Sequence, residues 1–205
     1  MEKLLFLFPR KSDLTRDEFF DHYREVHAPL GMELTKTMVH YAVNLRDGAD
    51  GAPDGVDAFT ETWTDSVADF MNPETSFATP EDAQRLMTDH NSFIGDPYDV
   101  YVIDERVRKG PEVATPTGRR TPGTRLIVAA SDHAVLDRLA SLVERDDVTR
   151  YVENDVQQAL MADAFGPVQA FVAINVVDGG ASASQVDEIV GDGGSVYQVS
   201  EYVQK

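Results

Sequence analysis

The sequence contains no cysteine. That absence excludes disulfides, iron–sulfur clusters, thiolate zinc sites and cysteine nucleophiles, and it leaves the redox compartment unassigned. Long hydrophobic runs are missing as well. The apolar stretch in the opening MEKLLFLFPRK breaks at Pro9, too short for a signal-peptide core and far below the roughly 20 residues that span a bilayer. The expected location is therefore cytoplasmic, with no membrane partner. Basic side chains are scarce: 18 Lys plus Arg stand against 36 Asp plus Glu, a net charge of −18, so nucleic acid is excluded as a partner. So acidic a surface also fits life at high salt, where carboxylates keep a protein hydrated. Gly and Pro, at 14 and 10 residues, are too few and too scattered for a disordered or collagen-like chain, and 205 residues suffice to bury a core.

What is present is a repeat. KLLFLF (3–8) reads as a strand buried on both faces. Thr15 and Glu18 form a capping box ahead of a helix carrying Phe19, Tyr23, Val26 and Leu30 on one face. Pro29 is expected to end or kink that helix and to leave His27 near its C-terminal end. MVHYAVNL (38–45) and AFTETW (58–63) alternate as strands, a helical region broken near Pro73 and Pro80 covers about 66–93, and VYVIDERV (100–107) is a fourth strand. The segment 110–123, rich in Pro, Gly and Thr, reads as a linker. Strands at 124–130, 149–156, 168–177 and 195–203 and helices near 134–145 and 183–190 then repeat the order. Tyr41 maps to Tyr151 (offset 110), Phe59 to Phe171 (offset 112) and Tyr101 to Tyr197 (offset 96). Each copy is a βαββαβ unit of the ferredoxin-like kind, whose sheet needs cover on one face. The expected fold is α+β: two tandem ferredoxin-like modules, 1–109 and 124–205, packing sheet to sheet as an intrachain pseudo-dimeric α+β barrel.

The first half resembles the EthD-like branch of the dimeric α+β barrel superfamily. The matching residues are the strand KLLFLF, the helix TRDEFFDHYREVHAPL with its closing His-Ala-Pro, the strand HYAVN, the segment DAFTETWTD (57–65), and DHNSFIGD before VYVIDE. The resemblance implies a small cofactor-independent enzyme or accessory protein that acts on hydrophobic cyclic or aromatic metabolites in a cleft between helices and sheet. Reactions among such proteins are diverse, so the fold does not choose one.

Several residues can carry chemistry. His27 corresponds to the histidine of the family's helix motif and, near a helix C-terminus, would be poised as an acid or base; the alternative is a plain helix cap. His40 alternates with Met38, Ala42 and Asn44 on the strand face opposite Val39, Tyr41, Val43 and Leu45, so His40 and Asn44 are expected to point into the barrel, as a binding pair or a structural network. Glu61 and Trp63 share a face, where desolvation would raise the carboxyl pKa beside a flat stacking surface; a salt-bridged core pair is the plainer alternative. His90 is a further candidate for the cleft. His22 and His27, five residues apart, stand about 140° apart on an α-helix and cannot chelate one metal there. The turn 47–57 offers four carboxylates without the spacing of a calcium loop.

In the second copy His40 becomes Arg150, Asn44 stays as Asn154, and Glu61 and Trp63 become Ala173 and Asn175. The C-terminal copy therefore reads as a structural partner that closes the barrel, with Arg150 available to reach across as an anion clamp. The resulting expectation is a lyase, isomerase or cyclase with no cofactor and no metal, moving a proton next to the carbonyl of a hydrophobic aromatic or cyclic compound. His27 would be the base, His40 or Glu61 the partner acid, Tyr23 and Trp63 the wall and Asn44 the donor to developing negative charge. Alternatives are a cofactor-free oxygenase, a non-catalytic binding or accessory protein, and an interaction protein with a filled barrel; homodimer formation stays open.

Overall fold

The structure, a computed structural model, describes residues 1–48, 55–112, 120–165 and 167–204. Asp50 and Asp54 of the carboxylate-bearing turn and residues 113–119 of the expected linker lie outside them.

β1 (Glu2–Phe8) is buried on both faces, as its unbroken apolar run demands. Thr15 caps α1 (Arg16–His22) through the full capping box with Glu18. The helical path then departs from the sequence reading. A π turn, Tyr23–His27, follows, and α2 (Ala28–Leu34) continues without a break. Pro29 does not end the helix. It sits in the first turn of α2, where a missing N–H is tolerated. The extra residue of the π turn also rotates Val26 out to solvent, 43% exposed, while Phe19, Tyr23 and Leu30 stay buried. His27 therefore lies within a continuous helical run, so the helix-end charge argument does not apply to it.

β2 (Met38–Arg46) and β3 (Ala58–Thr64) form the next antiparallel pair. Pro73 and Pro80 mark restarts rather than a kinked helix, because Ser66, Asn72 and Thr79 each cap a new one: α3 (Val67–Met71), α4 (Pro73–Ser76) and α5 (Pro80–Phe93). β4 (Asp99–Lys109) closes the first module. The second runs β5 (Thr124–Ala130), α6 (Ala134–Leu139) with a 3-10 turn after it, β6 (Val148–Met161), β7 (Ala170–Val176), α7 (Ala183–Val190) and β8 (Gly194–Val203). β6 outruns its expected end because it pairs along the whole of the long β4.

The strands close into one antiparallel barrel in the order β1-β3-β2-β8-β5-β7-β6-β4. Each module contributes the ferredoxin-like order, β4-β1-β3-β2 and β8-β5-β7-β6, and the seams β2–β8 and β4–β6 exchange equivalent strands. The fold is thus two tandem ferredoxin-like modules forming a pseudo-dimeric α+β barrel within one chain. Register confirms the repeat residue by residue. His40 pairs with Trp63 and Asn44 with Phe59; Arg150 pairs with Asn175 and Asn154 with Phe171. Even the bulge repeats, between Met38 and His40 and between Val148 and Arg150. Apolar packing occurs in three places: under the helices of each module and inside the barrel.

Candidate active site

Alternation along β1, β2 and β3 sends one set of side chains under the N-terminal helices and the other into the barrel. A cavity of about 230 Å³ opens on the helix side, between these strands and the helical segments α2 to α5. Phe6, Phe8, Phe70, Phe77, Leu86 and Tyr98 give it apolar walls, and Met71 and Met87, both more than two-fifths exposed, flank it at the surface. The polar groups on its wall are few: His27, His90, Tyr41, Thr60 and Thr62 among them. Met38 also lines this cavity, because the bulge after it breaks its expected alternation with His40.

His27 is the best-anchored of these groups. Its Nδ1–H donates to Asp89 Oδ2 on α5 at 2.7 Å, while His22 Nε2 lies 2.8 Å from Asp89 Oδ1. Burial alone would raise the Asp89 carboxyl, but hydrogen bonds from His27 and His22 outweigh it and hold the group below its ordinary value. An ionised carboxylate only accepts, so it fixes the proton of His27 on Nδ1 and leaves Nε2 as the basic nitrogen. The π turn makes the shared contact. Its i→i+5 bond, Ala28 N–H to Tyr23 O, stacks residues five apart, so His22 and His27 do not stand 140° apart. They converge on one carboxylate, and among the described residues no cluster of three side chains has metal-binding geometry.

His90 packs against the His27, Phe8 and Tyr98 rings at 5.6, 5.3 and 5.4 Å, and its Nε2 is buried without a partner. Burial first, and then the neighbouring His27, push its pKa down to about 4, so it is neutral at pH 7. Tyr23 lies fully buried behind the cavity wall and shares a hydrogen bond with Thr60, and Tyr41 donates to Tyr23 Oη at 3.4 Å. Burial raises both phenols, Tyr23 to about 12, so both remain protonated donors.

The other sequence candidates face the opposite way. His40, Asn44, Glu61, Trp63 and Arg150 project into the barrel, across the sheet from His27, so the expected pairing of His27 with His40 or Glu61 does not form. Glu61 also differs in chemistry. Burial would raise its carboxyl, yet the charges of Lys3 and Arg125 override burial and hold it far below its ordinary value. It is a fixed anion, not an acid with a proton to give. Arg150 binds the carbonyls of Pro111 and Glu112, and Asn44 donates to Glu61 at 2.9 Å and to the Phe59 carbonyl at 3.0 Å. Trp63 stacks edge-on with His40 at 6.2 Å and donates to Glu105 at 3.3 Å.

The barrel interior is a charge ladder. Lys3 meets Glu61 and Asn154, each at 2.7 Å, and Glu105; Arg125 meets Glu61 and, at 2.7 Å, Glu201. Sequence reasoning missed four of its members. The repeat carried the signal, because the offset of 96 that maps Tyr101 to Tyr197 also maps Glu105 to Glu201, and Lys3 and Arg125 face the equivalent residues Trp63 and Asn175. Asp89 was missed too, although it stands directly before His90 in the motif DHNSFIGD.

Residues 11–97 match the family model of the EthD domain. No curated protein sequence matches the chain. Among solved structures, an anthrone oxidase-like protein aligns over 98% of this chain and 92% of its own, with a TM-score of 0.59 and 10% identity. A putative monooxygenase from Fusobacterium nucleatum aligns over 100% and 92%, with a TM-score of 0.56 and 8% identity. The fold is therefore the α+β barrel shared with these two structures, and the match to the EthD domain falls within its N-terminal module.

Proposed function

We propose that the chain is a small-molecule enzyme that binds a hydrophobic aromatic or cyclic carbonyl compound in the helix-side cleft and moves a proton next to its carbonyl. The observation that carries this reading is His27, a histidine on the wall of an apolar cavity whose second nitrogen is tied to an ionised carboxylate. In the reaction Nε2 of His27 takes a proton from the carbon beside the carbonyl, and the electron pair moves onto the carbonyl oxygen. The hydroxyls of Thr60 and Thr62 and the neutral ring of His90 are the groups placed to hydrogen-bond that oxygen. Return of the proton to another atom gives an isomerase; loss of a leaving group gives a lyase, and attack on a second carbonyl a cyclase. No step requires a cofactor. The N-terminal module, 1–109, carries the chemistry, and the module 124–205, joined through 110–123, closes the barrel.

The likeness to an anthrone oxidase-like protein and to a putative monooxygenase supports a second reading on the same site, in which the carbanion reacts with molecular oxygen. Anthrone tests both: its methylene stands across the ring from the carbonyl and is conjugated with it through the aromatic rings, so loss of a proton there likewise sends the electron pair onto the carbonyl oxygen, as the anthrolate. The wild type should incorporate deuterium at that methylene, and His27→Ala should lose the activity while remaining folded. Oxygen consumption coupled to turnover selects the oxygenase. Binding without exchange or oxygen uptake in either protein leaves a non-catalytic binding module.

A further inference from the structure

α2 carries a glycine where helical geometry does not ask for one. Gly31 lies in the interior of α2 in ordinary helical conformation, outside the positive-φ glycines, and glycine in such a position weakens a helix relative to alanine. Crowding does not explain it. Gly31 is buried, yet a methyl group placed on its Cα would meet no atom within 4 Å beyond its own helix. The space beside it is the cavity, which Gly31 lines together with His27, four residues earlier, and Thr35, four residues later. These three residues form the stripe of the helix that faces the cleft. A side chain on a helix leans toward the N-terminus and covers the turn before its own Cα. A side chain at position 31 would therefore lie beside the His27 imidazole.

We infer that Gly31 is a specificity-determining residue: its missing side chain reserves the part of the cleft next to His27 for the ring system of the bound molecule. The inference rests on the helix-side cleft being the binding site. It predicts opposite signs for stability and binding. Gly31→Ala should raise the melting temperature of the free protein by about 2–4 °C, because it strengthens the helix and meets no clash. Gly31→Leu should fill the space and weaken the larger ligands selectively.

The test measures binding of two neutral probes, 2-naphthol with two rings and anthrone with three, to wild type, Gly31→Ala and Gly31→Leu by calorimetry, with melting temperatures for each protein. The expected result is a free Gly31→Ala protein at least as stable as wild type, together with a loss of about tenfold or more in anthrone affinity for Gly31→Leu and a smaller loss for 2-naphthol. Equal anthrone affinity in all three proteins overturns the role of Gly31 and leaves the cleft reading intact. A Gly31→Ala protein that melts lower than wild type also overturns it, since the glycine would then be serving the backbone. Failure of wild type to bind either probe overturns the cleft reading and this inference together.

Discussion

His22 and His27, five residues apart on one helical run, reach the two oxygens of a single carboxylate, that of Asp89. The two contacts differ in setting. His27 is buried and lines the cleft, whereas the side chain of His22 is about a third exposed (31%). The carboxylate thus ties a surface imidazole to a cleft imidazole, and the π turn between them makes the geometry possible.

Asp89→Asn should therefore cost activity more than fold. The neutral amide no longer fixes the proton on Nδ1 or stabilises an imidazolium, so deuterium exchange into anthrone should fall by about 100-fold or more, the usual worth of a positioned base. The pH dependence follows from the sign of the shift. A carboxyl held below its ordinary value contributes stability above its unfolded pKa and loses it as pH falls through the lower folded value. The wild type should thus destabilise more steeply than the Asn variant as pH falls below the ordinary aspartate value of about 4, as urea titrations at stepped pH would register. An Asn variant with unchanged exchange would remove Asp89 from the mechanism.

Glu61→Gln should behave in the opposite way. The carboxylate neutralises Lys3 and Arg125 inside the barrel, where its side chain is only 4% exposed. Removing one partner of a buried ionic network leaves uncompensated charge and costs about 3–5 kcal/mol. Denaturant midpoints should drop sharply, while the anthrone affinity of the protein that remains folded stays close to wild type, because the cleft lies on the other side of the sheet. A stable variant that fails to bind would move the site into the barrel.

The contrast between these two carboxylates shows where the sequence was legible. Alternation along HYAVN placed His40 and Asn44 inside the barrel, alternation along FTETW put Glu61 and Trp63 on one face, and the repeat offsets survive as strand register, bulge included. Two things were hidden. A period of 3.6 residues was assumed through TRDEFFDHYREVHAPL, and one π turn changes which side chains share a direction, so Val26 left the core and His22 joined His27. The charge state of Glu61 was also out of reach, since it depends on Lys3 and Arg125, which are 58 and 64 residues away in sequence. Burial alone would raise the Glu61 carboxyl, as its place beside Trp63 suggests, but the cations that reverse the shift arrive only with barrel closure.

The hydroxyl chain behind the cavity gives a smaller, local effect. Tyr23→Phe keeps the ring packed against Phe19 and Phe93 and removes only the hydrogen bonds to Thr60 and Tyr41. The loss should be about 1–2 kcal/mol, seen as a drop of about 2–6 °C in melting temperature. A larger fall would mean that the chain of hydroxyls holds the sheet and helix together cooperatively.

His90 should not titrate near neutrality. Burial against Phe8 and Tyr98, with His27 beside it, disfavours its charged form and places its pKa at about 4 against an ordinary 6.5. In the unfolded chain the same imidazole protonates near its ordinary value, so between about pH 6.5 and pH 4 the unfolded state binds a proton that the folded state refuses. Stability should therefore fall as pH drops through this window, by about 1–3 kcal/mol from His90 alone. His90→Phe should flatten that slope, since an aromatic ring of similar size fills the space without taking up a proton. Proton NMR of the imidazole C–H signals is the direct check: one histidine resonance should stay unshifted above pH 5. If all five histidines move together near pH 6.5, His90 is charged in the cleft at mild acidity and is no longer a neutral donor to a developing oxyanion.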